Sequence, residues 1–393
     1  MISISKLLCD ATAPGDNLRY GRQGRADGIQ VHSNEPRPIV VWNCTQKCNL
    51  HCIHCYSDAS THATSSALST EAAKSFIRDL ADFGVPVLLF SGGEPLLRED
   101  IFELADFAKE QRIRTVLSTN GTLITDKVAE KIKVVGFAEV GISLDGIGVK
   151  NDRFRGQEGA YQAALQGIRN CIALKQRVSL RLTITSHTSL EIPAIFDLVE
   201  QEGIERVCFY HLAYVGRASG LKKTDLNHFE TRKVIDLICE RTLDLYRRGL
   251  PKEILTVDNH ADAVYLYLKL KESDPIRAQK VLALLQGNGG NNSGIRIGAV
   301  DELGNVHADQ FWRHYSFGNV LQRKFGDIWM DTSDHIMRGL KERKGLFKGR
   351  CARCQYLNLC NGNLRVRAEA IYGDVWAEDP ACYLTDTEIG LTE

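Results

Sequence analysis

The sequence carries no excess charge of either sign, with 49 Lys and Arg against 49 Asp and Glu. No basic face for nucleic acid is advertised, and a charged substrate has to be met locally, by a few placed arginines and lysines. Also missing is an apolar run of about 20 residues, the length a membrane-crossing helix needs. The start, Met1-Ile-Ser-Ile-Ser-Lys-Leu-Leu-Cys9-Asp10, meets charge too early for a secretory signal. These absences lead us to expect a soluble, cytoplasmic protein with no nucleic-acid and no membrane partner. At 393 residues there is room for a full core and two or three structural units.

Cysteine is present in quantity, 12 in all. In a reducing compartment this points to metal rather than disulfides. Seven cysteines fall into two groups: Cys48, Cys52, Cys55 and Cys351, Cys354, Cys360, Cys382. The others, Cys9, Cys44, Cys171, Cys208 and Cys239, are scattered, and most of them read as ordinary core thiols, with Cys9 open between a thiol near the site and one far from it.

The first group, Cys48-Asn-Leu-His-Cys52-Ile-His-Cys55-Tyr56, follows an apolar strand, Ile39 to Trp42. Three soft ligands on one loop suit an iron–sulfur cluster. Cys44 offers a fourth thiol nearby, but the resulting spacing does not match a ferredoxin run, which leaves one iron open. A zinc knuckle drawing on His51 or His54 is the alternative. It is disfavoured because structural zinc units stand alone, whereas these cysteines open a long alternating α/β segment.

Apolar runs at Ile39 to Asn43, Val85 to Ser91, Thr115 to Ser118, Ala138 to Ser143, Val178 to Thr185 and Arg206 to His211 read as strands. Amphipathic stretches between them, Ser69 to Phe83, Asp100 to Gln111, Asp126 to Val135, Ala160 to Lys175 and Leu190 to Glu202, read as helices, with Ser69 and Thr125 as N-caps. Such alternation predicts a parallel sheet with right-handed crossovers. Residues 1 to about 36 read as an irregular arm, residues 37–212 as the α/β core, and 213–290 as a bridge of two long helices, Asp225 to Arg248 and Asn259 to Leu285. Residues 291–393 read as a small unit with strands at Ile295 to Val300, Gly304 to Ala308 and Ser316 to Val320, followed by the second cysteine group. Four thiolates without a companion histidine also suit a zinc site.

The C-x3-C-x2-C loop followed by Tyr56, with Ser91-Gly92-Gly93-Glu94-Pro95 one βα unit later, resembles the radical S-adenosylmethionine (SAM) superfamily. The resemblance implies a partial (β/α)6 TIM-like barrel with chemistry at the carboxyl ends of its strands. It implies that Cys48, Cys52 and Cys55 hold a [4Fe–4S] cluster whose open iron chelates SAM. Gly92, Gly93 and Glu94 would meet the SAM amino group, Ser118, Asn120, Ser143 and Asp145 its methionine and ribose, and Arg181 its carboxylate, although Arg181 reads equally as a surface cation. The last cysteine group resembles the SPASM/twitch extension, so Cys351, Cys354, Cys360 and Cys382 would hold a second, auxiliary [4Fe–4S] cluster. A full SPASM domain has further cysteines where Leu364, Asn292, Ser293 and Asp309 stand, which implies that one auxiliary site is lost.

Val40-Val-Trp-Asn43, Asp301-Glu-Leu-Gly-Asn-Val-His307, Cys360-Asn-Gly-Asn363 and Trp376-Ala-Glu-Asp-Pro-Ala-Cys382 are similar to radical SAM enzymes of modified-tetrapyrrole biosynthesis. Two sister families compete. The AhbC family, favoured by the N-terminal residues, removes two acetate side chains from 12,18-didecarboxysirohaem to give Fe-coproporphyrin III in alternative haem biosynthesis, through a 5′-deoxyadenosyl radical. The NirJ family removes propionates from the same substrate. The resemblance implies an iron tetrapyrrole substrate and a reductant such as flavodoxin or ferredoxin. For such a substrate we expect a pocket of aromatic surface and arginine donors from Phe311, Trp312, Arg313, His314, Tyr315, Arg350, Arg365 and Arg367, with His211, Tyr214, Arg217, Lys222 and Lys223 near the same face. A peptide-modifying SPASM enzyme is a further alternative, disfavoured because no small winged module is legible before residue 36.

Overall fold

The computed structural model describes residues 1–21, 37–63 and 67–391. Its strands are β1 (Ile2–Ser3), β2 (Ile39–Thr45), β3 (Val87–Gly92), β4 (Arg114–Thr119), β5 (Glu139–Ser143), β6 (Val178–Ile184), β7 (Arg206–His211), β8 (Glu253–Val257), β9 (Ile297–Val300) and β10 (Val306–His307). They form one sheet in the order β1-β8-β7-β6-β5-β4-β3-β2-β9-β10. From β8 across to β9 every pairing is parallel, and β1 and β10 add antiparallel edges. The six expected core strands, β2 to β7, all lie within two residues of their sequence boundaries.

Helices α1 (Ile4–Cys9), α2 (Asp16–Tyr20), α3 (Thr70–Phe83), α4 (Ile101–Glu110), α5 (Asp126–Val135), α6 (Val149–Arg155), α7 (Ala160–Ala173), α8 (Ile192–Gln201), α9 (His228–Arg247), α10 (Ala261–Ser273) and α11 (Pro275–Asn288) complete the main layer. Because parallel neighbours need crossovers, helices connect β2 to β7 in sequence and cover one face of the sheet. Phe76, Ile77, Leu104, Ile132, Ile168 and Ile195 from those helices bury against Trp42, Phe90, Leu117, Ile142 and Leu180 of the strands. Ser69 and Thr125 cap their helices as expected, accepting from Ala72 N at 3.3 Å and Val128 N at 3.3 Å.

Three expectations are corrected. The 213–290 segment is not purely helical: Glu253–Val257 is a buried strand that extends the sheet beyond β7. The second long helix is two, because Asp274 caps a new start through Arg277 N at 3.0 Å and Pro275 occupies its first turn. Nor are residues 1–21 irregular, since β1 pairs with β8 and the Tyr20 hydroxyl accepts from Ser3 N at 2.9 Å. The rest of that expected arm, 22–36, lies outside the described residues. In the last unit β9 and β10 form the expected hairpin around Gly304, whereas Ser316 to Val320 contributes only a single bridge, Asn305 to Asn319. No helix among the described residues is long and apolar enough to cross a membrane.

Candidate active site

The carboxyl ends of the strands open into one cleft enclosing about 1140 Å³, its solvent-open part included. The cysteine loop leaves β2 and is pinned from several sides. His51 N and Ile53 N donate to the Arg155 and Phe154 carbonyls at the end of α6, both at 3.1 Å. Arg217 donates to the Cys52 carbonyl at 2.8 Å and the Ala59 carbonyl at 3.0 Å. That assigns Arg217 to holding the loop, not to the substrate face.

Cys48, Cys52 and Cys55 line the cleft together with Gly92, Gly93, Ser118, Asn120, Ser143 and Arg181. These come from the ends of β2, β3, β4, β5 and from β6, residues remote in sequence that the parallel topology brings to one rim. Asn120 Nδ2 reaches Asn49 Oδ1 at 2.8 Å and Cys48 Sγ at 4.0 Å. Arg181 is not a surface cation. Its Nη1 donates to Ser118 Oγ at 2.5 Å, its Nε is buried without a partner, and a Cβ on Gly141 would stand 2.2 Å from that Nε. Gly141 therefore leaves the space in which the guanidinium crosses β5.

Residues 42–199 match the radical SAM superfamily model. Over the whole of both chains the sequence is 55% identical to the Fe-coproporphyrin III synthase of Methanosarcina barkeri. The chain belongs to the radical SAM superfamily. It is also 42% identical to the pre-heme d1 synthase of Dinoroseobacter shibae, over 92% of this chain and 90% of that relative. The crystal structure of Streptococcus suis SuiB bound to S-adenosylmethionine superimposes with a TM-score of 0.70 at 17% identity, covering 89% of this chain and 78% of that one, a likeness of fold.

A radical SAM protein carries a [4Fe–4S] cluster and SAM, and the cleft fits both. Three thiols face it. Cys44 is fully buried outside it, with Sγ turned to the Ser91 carbonyl at 3.4 Å. His51 is exposed, and His54 stacks on Phe154 at 4.5 Å. Among the described residues no group of three or more His, Cys, Asp or Glu side chains is arranged to hold a single metal ion. Burial pushes the Cys48 thiol up to about 12, so cluster assembly displaces a proton there.

Glu94 and Asp145 do not line the cleft. Glu94 is fully buried outside the cleft, and its carboxylate accepts from Thr119 Oγ1 at 2.7 Å, Leu96 N at 3.1 Å and Asn120 N at 2.8 Å. Two of these bonds set the tip of β4, which aims Asn120. Burial raises its carboxyl above the usual range despite these bonds. Asp145 accepts from Thr183 N at 2.7 Å and pairs with Arg155. Arg155 in turn approaches Cys52 Sγ at 3.6 Å. Sequence reading missed Arg155, which lies far from any motif; only its position after the β5 turn links it to the cysteines.

The two glycines serve the loop as much as a ligand. A Cβ on Gly92 would meet the Thr45 carbonyl at 2.4 Å, and one on Gly93 the Lys47 carbonyl at 2.2 Å. Gly93→Ala is expected to destabilise the fold by roughly 1–3 kcal/mol, as overpacking does, and to lower cluster occupancy; thermal melting and iron content check both.

The expected arginine and aromatic pocket is mostly not one. Arg365 and Arg367 are fully buried and engaged, Arg365 with the Val375 carbonyl at 3.0 Å and the Ala377 carbonyl at 2.6 Å, Arg367 with Asp379 at 2.8 Å. Arg313 pairs with Glu302, His314 with Glu369 and Arg350 with Asp386, while the Tyr315 hydroxyl donates to Asp334. Trp312 is fully buried. Only Phe311 of these reaches the cleft, beside Gln310. Opposite the cysteines the wall is Tyr210, His211, Leu212 and Asp258, and burial pushes the Asp258 carboxyl up to about 7. Tyr214 donates to Asp225 at 2.9 Å and Lys222 to the Ala370 carbonyl at 2.8 Å; Lys223 is exposed.

Cys351, Cys354, Cys360 and Cys382 line a second chamber walled by Ala261, Val264, Leu357, Leu384 and Ile389. Four thiols around an apolar chamber fit an auxiliary [4Fe–4S] cluster held entirely by protein. Where further cysteines would stand, Ser293 Oγ donates to Asp309, Arg343 donates to the Ser293 carbonyl at 2.6 Å, and Leu364 joins the apolar cluster of Trp312, Ile336 and Leu340.

Proposed function

We propose that this protein removes the two acetate side chains of 12,18-didecarboxysirohaem to give Fe-coproporphyrin III. The observation that carries this reading is 55% identity to an Fe-coproporphyrin III synthase along the whole of both chains, against 42% to a pre-heme d1 synthase. Cys48, Cys52 and Cys55 would hold the cluster, which would supply the electron for reductive SAM cleavage and so the radical chemistry of hydrogen abstraction. The protein's own part is placement and exclusion of water. Arg155 and Arg217 fix the cysteine loop, Asn120 braces it through Asn49, Arg181 presents a donor to SAM, and Phe311 and Gln310 close the cleft from the C-terminal unit. The wall of Tyr210, Leu212 and Phe311 offers the apolar surface that a tetrapyrrole disc needs. A low-potential carrier such as flavodoxin or ferredoxin supplies the electron, in the cytoplasm.

Arg181→Ala is expected to weaken SAM binding by about 10- to 150-fold, the loss of roughly 1.5–3 kcal/mol for a charged hydrogen bond, and Arg181→Lys to recover part of it; equilibrium binding to the cluster-loaded protein checks this. The function itself is tested by anaerobic turnover with SAM, a reductant and didecarboxysirohaem. Formation of 5′-deoxyadenosine is expected to accelerate on adding the tetrapyrrole and to stop when it is consumed. Formation indifferent to the tetrapyrrole would leave the radical SAM core intact and remove the substrate.

A further inference from the structure

Ligands on the β2 to β6 side of the cleft are spoken for by the cluster and SAM, which leaves the ends of β7 and β8 for the substrate. His211, the last residue of β7, lines this wall and also a second opening shared with Tyr214, Asp225, Asn259 and Arg367. Its Nε2 lies 2.9 Å from Asp262 Oδ2. Asp262 is fully buried at the start of α10, and its other oxygen accepts from the Tyr383 hydroxyl at 2.8 Å. A carboxylate only accepts, so Nε2 carries the hydrogen, and in the neutral ring Nδ1 keeps its lone pair. No hydrogen bond among the described residues reaches Nδ1. An imidazole whose other nitrogen donates to a buried carboxylate is the arrangement that metal-binding histidines adopt, because it fixes the tautomer, orients the ring and raises ligand basicity.

We infer that His211 is an axial ligand to the iron at the centre of the tetrapyrrole substrate, through Nδ1, with Asp262 and Tyr383 as positioning residues. The inference rests on the tetrapyrrole reading above. No other side chain on that wall offers iron an available nitrogen lone pair: Tyr210 presents a phenol, Asp258 a carboxyl, and Gln310 an amide whose NH2 only donates. Imidazole is a standard iron ligand, and holding the disc by its metal would orient its rim toward SAM independently of side-chain carboxylates. This also accommodates the engagement of Arg365 and Arg367 elsewhere.

The test uses cluster-loaded protein without SAM, titrated anaerobically with ferric Fe-coproporphyrin III and followed by difference absorption and electron paramagnetic resonance. Wild type is expected to show a nitrogen-ligated iron. His211→Ala is expected to lose that signature and bind at least about 10-fold more weakly, with added imidazole restoring the signature. Asp262→Asn is expected to keep the ligand but weaken binding about 10- to 100-fold. A wild-type iron spectrum in His211→Ala overturns the assignment, as does lost binding that imidazole fails to restore in a variant of unchanged melting temperature. Wild type that binds the tetrapyrrole without a nitrogen signature overturns the ligand alone. Wild type that binds no tetrapyrrole overturns the substrate reading and the ligand with it.

Discussion

A Cys52→Ala variant is expected to yield no detectable 5′-deoxyadenosine under any reducing condition while still folding around its auxiliary chamber. Cys52 is buried in the loop that Arg217, α6 and the β2 end hold in place, so removing its sulfur leaves a cluster with two protein ligands and an open side. The four thiols of the auxiliary chamber come from other elements and are untouched. Iron and sulfide should therefore fall from about eight to about four per chain, the content of one remaining [4Fe–4S] cluster. Anaerobic iron analysis and nucleoside chromatography measure the two effects together. Full loss of iron would show instead that the auxiliary chamber depends on the first cluster.

Arg367→Met is expected to cost about 3–5 kcal/mol of folding stability, since it strands a buried carboxylate. The Arg367–Asp379 pair is wholly excluded from solvent on both sides. It is bidentate, with Nε on Oδ1 and Nη2 on Oδ2, both at 2.8 Å, and the same guanidinium donates to the Leu212 carbonyl at 2.8 Å and the Asp258 carbonyl at 2.9 Å. One side chain thus ties the C-terminal unit to the rim of β7 and β8. Denaturant titration reads the loss, and an Arg367→Met, Asp379→Leu double variant should recover part of it, because the unpaired charge is then gone. Burial pushes the Asp379 carboxyl up, but Arg367 holds it below the usual range overall. Its contribution is therefore present in full above pH about 4, the unfolded value, and is lost as pH falls through the lowered folded value.

The core strands were legible because each is an apolar run bounded by turn residues, and the parallel order followed from their alternation with amphipathic helices. Strand β8 was not, since Glu253-Ile-Leu-Thr-Val257 is short, opens on a charged residue and lies between two helical patterns. The pairing of β1 with β8 depends on a partner about 250 residues away, which no local pattern records. At the site, the cysteines, glycines, Ser118, Asn120, Ser143 and Arg181 reach one cleft. Glu94 and Asp145 belong to the same motifs yet face inward, and motif spacing cannot distinguish a side chain that touches a ligand from one that aims its neighbour. The arginines erred for a related reason: composition shows that Arg365 and Arg367 exist near the right unit, but their partners are backbone carbonyls and Asp379. His211 was visible only as a residue at a strand end. Asp262, which gives it a defined tautomer, stands 51 positions later.

The most direct measurement is mass analysis of the tetrapyrrole after anaerobic incubation of the cluster-loaded protein with SAM, a reductant and didecarboxysirohaem. Loss of the two acetate side chains with Fe-coproporphyrin III as product is the expected result. Retained acetates with lost propionates would contradict it.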